Sequence, residues 1–199
     1  MKSTRNAIVL LLIVMAVFSA QITLADTYDI DNSHSSVGFK IKHLAISNVK
    51  GSFTSFEGAF DFVAGQPRQW NVEVSIDMKS VDTGDEDRDD HLRAEDFFDV
   101  EKFPTMVFKS TGVKMDDDEE GKLMGTLTMH GVTLPVTLDI EFNGAITDPW
   151  GNERVGFSAT GKINRKDWGL SYGKALESGG LVIGNDVKIS LEIEGVKRK

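Results

Sequence analysis

The 199-residue chain contains no cysteine and only four prolines, and its four histidines stand far apart. Without cysteine, neither disulfide bonds nor lipid attachment to a thiol is available. His34, His43, His91 and His130 include no HxH or HxxxH pair, so the sequence predicts no metal site. It also lacks a GxSxG nucleophile motif and a phosphate-binding glycine loop. The sequence therefore shows none of the local motifs that identify these catalytic or cofactor-binding sites.

Basic residues are scarce relative to acids. The chain has 22 Lys and Arg against 31 Asp and Glu, which gives a formal net charge of −9. Nucleic-acid binding depends on clustered Lys and Arg that neutralise phosphates. The sequence therefore predicts that nucleic acid is not a partner.

No apolar run is long enough to span a bilayer. Lys2 and Arg5 precede the run from Ala7 to Phe18, whose 12 residues fall short of the ~20 that a spanning helix needs. The small residues Thr23 and Ala25 follow, as in a cleavage site. We therefore predict a secretory signal peptide at residues 1–25 and a single folded domain at 26–199.

Two-residue alternation dominates the rest of the chain. From Val132 to Phe142 every even-numbered residue is apolar, and the odd-numbered ones are polar or proline. This pattern is typical of strands with one buried face. It recurs in Trp70–Met78 and Val187–Glu194. Further strands are predicted at Val37–His43, Lys50–Phe62, Thr105–Val113, Lys122–Met129 and Val155–Ile163.

These segments predict an all-β fold, an extended antiparallel barrel of about eight strands. A strand of 11 residues such as Val132–Phe142 measures ~35 Å at ~3.4 Å per residue, about twice the usual length. An eight-stranded barrel can hold one small ligand, and longer strands make its interior deeper. The interior therefore suits a long, thin, apolar guest.

The charged segment at about 85–99 interrupts the strand pattern and predicts a short helix at one end of the barrel. Asp85 can cap the helix, and Arg88, His91, Leu92 and Glu95 share one face. A second turn at Asp96 can bury Phe97 and Phe98. Two interpretations remain open, a cover for the barrel end and a role in binding.

Candidate ligand-binding residues follow from the inward faces of the predicted strands and from the shared face of the predicted helix. His43 continues the inward row of Val37, Phe39 and Ile41 to the strand's end, where a polar group can orient a ligand head. Alternatively, His43 only bonds a neighbouring loop carbonyl. The head-group end is predicted at His43, Arg88 and His91, and the lumen at Val37, Phe39, Ile41, Val72, Val74, Ile76, Val136, Leu138, Ile140 and Phe142.

The acidic run from Asp116 to Glu120 lies between two predicted strands. Five adjacent carboxylates lack the alternating ligand spacing of an EF-hand loop. We interpret the run as a solvated hairpin tip that also guards against edge pairing.

Many short motifs in order carry a family resemblance, although none is specific alone. They are His34-Ser35, Phe39, His43, Gly51-x-Phe53, Gly58, Arg88-Asp89-x-His91-Leu92, Phe97-Phe98-Asp99, Phe103-Pro104, Phe108-x-Ser110, Gly125-x-Leu127, His130-Gly131-Val132-Thr133 and Asn164-Arg165-x-Asp167-Trp168-Gly169. With them, the chain resembles the YceI-like family of bacterial periplasmic polyisoprenoid-binding proteins over nearly the whole of 26–199.

The resemblance implies a lipocalin-like barrel with a helical segment at one end, which binds, stores or transports a polyisoprenoid-type lipid in the periplasm. It implies no catalytic activity and no cofactor. Members of the family are linked to isoprenoid quinones and to stress responses. Transient membrane contact and a homodimer are both compatible with the sequence.

Local charge bears on the ligand's head group. Nine acids lie between Gly84 and Lys102, against Arg88, Arg93 and Lys102. A polyprenyl diphosphate would meet repulsion there unless Arg88 and His91 turn inward. The sequence therefore favours a neutral head such as a quinone.

Two other functions are compatible with the same pattern. One is a secreted enzyme that acts on a small lipophilic substrate with Arg88, His91 and His43. The other is a secreted stress-response protein with a packed barrel and a protein partner. Turnover of a candidate lipid would identify the first, and an empty organic extract would favour the second.

Cleavage of the signal peptide is directly testable. We expect exported protein to begin at Asp26, because the apolar run is too short to remain as an anchor. Intact-mass spectrometry of the exported protein measures this. Retention of residues 1–25 on most molecules would contradict the prediction.

Overall fold

The computed structural model describes residues 25–173 and 181–199, and most of them lie in antiparallel strands. The predicted signal peptide, apart from Ala25, lies outside the described residues. The strands are β1 Asp26–Ile30, β2 Ser36–His43, β3 Ser47–Phe53, β4 Phe56–Phe62, β5 Asn71–Asp77, β6 Val81–Asp82, β7 Thr105–Met115, β8 Glu120–Met129, β9 Val132–Thr147, β10 Glu153–Asn164 and β11 Ile183–Lys197. One α-helix, α1, spans Glu86–Arg93 in this part of the chain, and single 3₁₀ turns occupy Pro67–Gln69, Met78–Ser80 and Arg165–Trp168.

The strands form a closed barrel in which sequence neighbours are spatial neighbours. The first strand, β1, pairs with β4 on one side and with β11 on the other, where Tyr28 lies opposite Lys197. Three pairs of consecutive segments, β1 with β2, β3 with β4 and β5 with β6, each act as one broken strand. Together with β7 to β11 they make eight strands, so the predicted lipocalin-like, eight-stranded antiparallel barrel is confirmed.

One predicted strand is divided. The sequence pattern favours a continuous strand over Lys50–Phe62, but β3 ends at Phe53 and β4 begins at Phe56. Between them, the Thr54 amide donates to the carbonyl of Ser80 at 3.1 Å. The adjacent strand breaks at the same level, in the 3₁₀ turn Met78–Ser80. Both breaks let the long strands bend around the closed barrel.

The longest strand, β9, extends beyond its predicted end at Phe142 to Thr147. Its register against β10 shifts between Gly156 and Phe157, which marks a bulge. Gly144 lies in the bulge with a φ of 128°, a conformation that L-residues rarely adopt. The bulge breaks the two-residue alternation, so the pattern could not reveal the last five residues.

The interior is apolar along its length. At the end opposite α1, the buried rings of Tyr28, Phe60 and Phe62 pack together, with Tyr28 and Phe60 stacked at 5.5 Å between ring centroids. Phe142 stacks on Phe62 at 5.4 Å, and Phe157 meets Phe60 edge to face at 5.6 Å. We call these five rings the aromatic cluster; it fills that end of the barrel.

Two inward-facing glycines lie against aromatic rings of the neighbouring strands. Gly51 lies opposite Phe39, and a Cβ atom added to Gly51 would stand 2.4 Å from the Phe39 ring. A Cβ at Gly125 would likewise come within 2.4 Å of the Phe108 ring. Because no side chain is present at either glycine, each ring can lie flat against the barrel wall.

The predicted helix is confirmed, although it ends earlier than expected. The Asp85 carboxylate accepts from the Arg88 amide at 3.1 Å and caps α1. After Arg93 the chain folds into turns instead of continuing as helix, and these bury Phe97 and Val100. The Arg93 guanidinium donates to the carbonyls of two residues in the 3₁₀ turn and β6, Lys79 and Val81, and so fixes α1 to the barrel.

A cluster around Arg154 joins three parts of the opposite end. Arg154 contacts Asp31 at 2.9 Å and Asp148 at 2.7 Å, and it also pairs with Glu194. The hydrogen bond that Arg154 donates to Asp148 holds the pKa of the Asp148 carboxyl well below its usual range. His34 approaches Asp31 and Glu194 closely enough for a shared metal ion, but Arg154 already occupies both carboxylates.

Within residues 25–173 and 181–199, no helix is long and apolar enough to cross a membrane.

Adjacent positions in β9 test which face is buried. Leu138 is 5% exposed, whereas Thr137 faces solvent. Leu138→Asp should lower the free energy of unfolding by roughly 3 kcal/mol or more, because it buries an unpaired charge. Thr137→Asp should be mild. Thermal melts measure both, and equal damage would contradict the assignment.

Candidate functional site

A cavity of about 530 Å³ runs through the barrel interior. Its wall includes β11 residues from Ile183 to Ile193, which at ~3.3 Å per residue and a strand tilt of about 40° span roughly 25 Å of the barrel axis. The volume lies within the usual range of ligand-binding pockets. The barrel is therefore hollow between the aromatic cluster and α1.

The cavity wall contains most of the predicted lumen residues. Nine of the ten lie in the cavity wall, namely Val37, Phe39, Ile41, Val72, Val74, Ile76, Val136, Leu138 and Ile140. Phe142 does not, because its ring packs beside Phe62 in the aromatic cluster. The alternation identified the inward face correctly, but it carries no information about which inward side chains contact one another and which border empty space.

The predicted head-group residues come together at the α1 end. His43, from the end of β2, and Arg88 and His91, from α1, all lie in the cavity wall. The side chains of Arg88 and His91 are 39% and 43% exposed, so this end of the cavity reaches the surface. Leu92 also lies in the wall, whereas Glu95, predicted on the same helical face, does not.

Arg88 is held by Thr83, three residues before the helix begins. Its Nε donates to the Thr83 hydroxyl at 2.7 Å, and Nη2 donates to the Thr83 carbonyl at 3.0 Å. The buried Asp89 carboxylate accepts from the same hydroxyl and from the Thr83 amide. Two of the guanidinium nitrogens thus donate to Thr83, and the third, Nη1, lies 3.5 Å from the Asp85 carboxylate.

His91 lies in an aromatic setting. Its ring meets Phe97 and Tyr172 edge to face, with centroid distances of 4.9 Å and 4.8 Å. Its Nε2 lies 2.9 Å from the Asp96 carboxylate. If Nε2 carries the proton, Nδ1 of the neutral ring is an acceptor for a ligand hydroxyl or amide.

His43 differs from the other two head-group residues. In the described part of the chain, no hydrogen bond to the His43 imidazole is present, and the nearby loop interaction is made by its carbonyl, which accepts from the Ser47 hydroxyl at 3.3 Å. The alternative that the His43 side chain bonds a loop carbonyl therefore has no support among these residues.

Arg165 is the residue of this end that sequence reasoning missed. Only 4% exposed, it lies in the wall and donates from Nε to the Gly184 carbonyl at 2.8 Å and from Nη1 to the Leu170 carbonyl at 2.5 Å. Burial lowers the pKa of its guanidinium. The two-residue alternation could have indicated this residue, because Arg165 continues the inward-facing row of β10 as His43 continues that of β2.

The acids of the helical segment do not surround the cavity. Of the nine between Gly84 and Lys102, none lies in the wall, whereas Lys42, Arg88 and Arg165 do. Two of these acids nevertheless pair with wall residues, Asp85 with Arg88 and Asp96 with His91. Arg88 and Arg165 also donate to protein oxygens.

The fold and the cavity together define a lipocalin-like binding barrel, closed at one end and polar at the other. The sequence profile of the YceI-like domain matches residues 28–195. Protein YceI of Escherichia coli O157:H7 is 41% identical over 184 residues, which cover 92% of this chain and 93% of that protein. The chain therefore belongs to the YceI-like family, as the sequence motifs predicted.

Solved structures agree. The Campylobacter jejuni YCEI protein matches with a TM-score of 0.69 and 36% identity, covering 85% of this chain and 96% of that one. A polyisoprenoid-binding domain from Saccharophagus degradans matches with a TM-score of 0.62 and 17% identity, over 86% and 98% of the two chains. At that identity the second comparison shows the shared fold alone.

The buried arginine generates a prediction. Arg165→Met should lower the free energy of unfolding by about 2–4 kcal/mol, because the Gly184 and Leu170 carbonyls lose their donors. Lys166→Met, at the exposed next position, is the matched control and should be nearly neutral. Chemical denaturation measures both, and similar midpoints would contradict the role assigned to Arg165.

Proposed function

We propose that the protein is a periplasmic carrier or store for a polyisoprenoid-type lipid, such as an isoprenoid quinone or a polyprenyl chain. In this proposal residues 1–25 are a cleaved signal peptide and 26–199 form the lipid-binding domain. The observation that carries it is a cavity whose wall is apolar over most of its length and polar at its open end. The binding described for the Saccharophagus degradans domain supports the choice of lipid.

The tail would run past Phe39, Val74 and Val136 toward the aromatic cluster. Each buried methylene is stabilised by ~0.8 kcal/mol relative to water, but a bilayer offers nearly the same. The protein therefore has to compete only with the membrane, and exchange stays reversible. Asp61 and Asn71, the polar wall residues at the far end, already accept hydrogen bonds from Thr27 and Ser110.

The head group would lie near His43, Arg88 and His91. We propose a neutral or weakly polar head, because Arg88 and Arg165 already donate to Thr83 and to backbone carbonyls. Arg88 and His91 also pair with Asp85 and Asp96, so a diphosphate would lie close to two carboxylates, whereas a quinone or hydroxyl needs only one or two donors. The proposed role is binding without turnover, so the lipid should be recovered chemically unchanged.

Mass spectrometry of an organic extract of the exported protein tests the lipid class. We expect one polyisoprenoid-type lipid at near-stoichiometric occupancy, and an empty extract would contradict the proposal. A diphosphate head would contradict the head-group assignment alone.

The double variant His43→Ala, His91→Ala tests the site. Loss of two hydrogen bonds should weaken retention by roughly tenfold or more, with little change in the melting of the empty barrel. His34→Ala is the control, since His34 is exposed and lies outside the cavity wall. Full occupancy in the double variant would place the head group elsewhere.

A further inference from the structure

The outer surface of four neighbouring strands carries a row of lysines. Lys162 of β10 lies directly opposite Lys188 of β11, Lys188 opposite Lys40 of β2, and Lys40 opposite Lys50 of β3. Directly opposite residues point to the same side of a sheet, with Cβ atoms about 5 Å apart. The four side chains therefore form one continuous row, which we call the lysine row.

Sheet stability does not account for the lysine row. Like charges in directly opposite positions destabilise a strand pair. On the other side of the barrel, Lys109 lies opposite Glu73 and Lys122 opposite Asp139, and both form ion pairs. Each of those lysines lies opposite an acid in one strand pair, although Lys122 also lies opposite Lys114 in the other, whereas in the lysine row every directly opposite pair joins two lysines.

The charges of the lysine row are also poorly neutralised. Among residues 25–173 and 181–199, Lys162 contacts Asp186 at 3.2 Å, while Lys40, Lys50 and Lys188 have no carboxylate within 4 Å. In the adjacent row on the same surface, Thr160, Ser190, Gly38 and Ser52 are uncharged, and Asp139 and Asp82 lie opposite its two ends. The chain as a whole has a net charge of −9, so this positive surface is a local exception.

The turn between β2 and β3 adds exposed apolar groups to the same two strands. Leu44, Ala45 and Ile46 lie between His43 and Ser47, and Ile46 is 84% exposed. The turn is thus beside the polar end of the cavity, where His43 lies in the wall. Lys42 precedes it and is exposed.

The backbone of this turn is unusual for its residues. Leu44 and Ala45 have φ angles of 51° and 61°, in the left-handed region that Asn and Gly adopt at lower cost. The Leu44 amide donates to the Val182 carbonyl at 2.8 Å, which fixes the turn against β11. The chain therefore places apolar residues at an exposed tip where common turn residues would be more stable.

We propose that the lysine row and the Leu44–Ile46 turn dock the barrel on an anionic lipid bilayer. Lysines bind the phosphate layer of such a surface, and apolar side chains beside them enter the interface. A nucleic acid would use the lysines but not the apolar tip, and an exposed isoleucine beside unpaired lysines suits the interface of an anionic bilayer. Docking in this way holds the open end of the cavity near the membrane, which goes beyond the binding function proposed above.

Vesicle binding tests the lysine row. Cosedimentation of the purified protein with phosphatidylcholine vesicles that contain phosphatidylglycerol gives the partition coefficient. Each lysine near an anionic surface contributes about fivefold, so Lys40→Gln, Lys50→Gln, Lys188→Gln together should reduce partitioning on the order of a hundredfold. Added salt should weaken the wild-type binding.

A matched control removes the same charge elsewhere. Lys109→Gln, Lys114→Gln, Lys122→Gln changes the net charge equally, but each of these lysines already has a carboxylate within 4 Å. This variant should partition nearly as the wild type does. Equal losses in both triple variants, or equal wild-type binding to pure phosphatidylcholine vesicles, would overturn the proposal.

The absence of cysteine allows a direct test of the turn. Ile46→Cys, labelled with an environment-sensitive fluorophore, should shift to the blue on anionic vesicles. The same label at Ile146→Cys, which replaces another exposed isoleucine at the far end of the barrel, should not shift. Identical responses from both labels would overturn the proposed orientation.

Lipid extracted from the same preparations separates this proposal from the function above. Loss of vesicle binding in the lysine-row variant with full lipid occupancy supports a separate docking surface. Wild-type protein that fails to sediment with anionic vesicles, whatever lipid it contains, overturns docking and leaves the cavity function untouched.

Discussion

Closure of the hydrogen-bonded ring, completed where β1 pairs with β11, is the constraint on which the structure depends. An open sheet of such long strands would expose unpaired backbone groups at its edges and leave one apolar face wet. Closing the ring removes both costs and turns the apolar faces into a shared interior. The broken strands and the Gly144 bulge are the local adjustments that let long, twisted strands meet.

The open end of the apolar interior is lined by polar side chains. Most of these side chains form hydrogen bonds within the protein. Arg165 donates to backbone carbonyls, Arg88 to Thr83, and buried Asp89 accepts from Thr83. These bonds fix the orientation of α1 and of the chain after β10. Among the described residues, the imidazole of His43 has no hydrogen-bond partner and that of His91 pairs through Nε2 alone, so the proposed site assigns rigidity and recognition to different side chains.

Periodicity made the fold and the lumen faces predictable, because each residue in a half-buried strand reports its own side. The same reasoning selected His43, whereas helical spacing and the family resemblance selected Arg88 and His91. The structure brings all three to one end of the cavity. Side-chain contacts between residues far apart in the sequence could not be predicted from periodicity. The guanidinium of Arg165 meets carbonyls from two other segments, and Phe142 turns toward partners on other strands. The short β1 and the break after Phe53 depend on neighbours in the closed ring.

The glycines opposite Phe39 and beside Phe108 have a consequence for evolution. Because the Phe39 ring rests where a side chain of Gly51 would otherwise stand, a Gly51→Ala change would push that ring inward and narrow the tube. At Gly125 an added Cβ would meet the Lys109 carbonyl oxygen at 2.6 Å as well as the Phe108 ring, so the strand itself would have to shift. The capacity of the barrel is therefore set by a few positions without side chains, and not by the many residues of its wall. One substitution at such a position would alter the width of the tube, while strand number and closure stay the same.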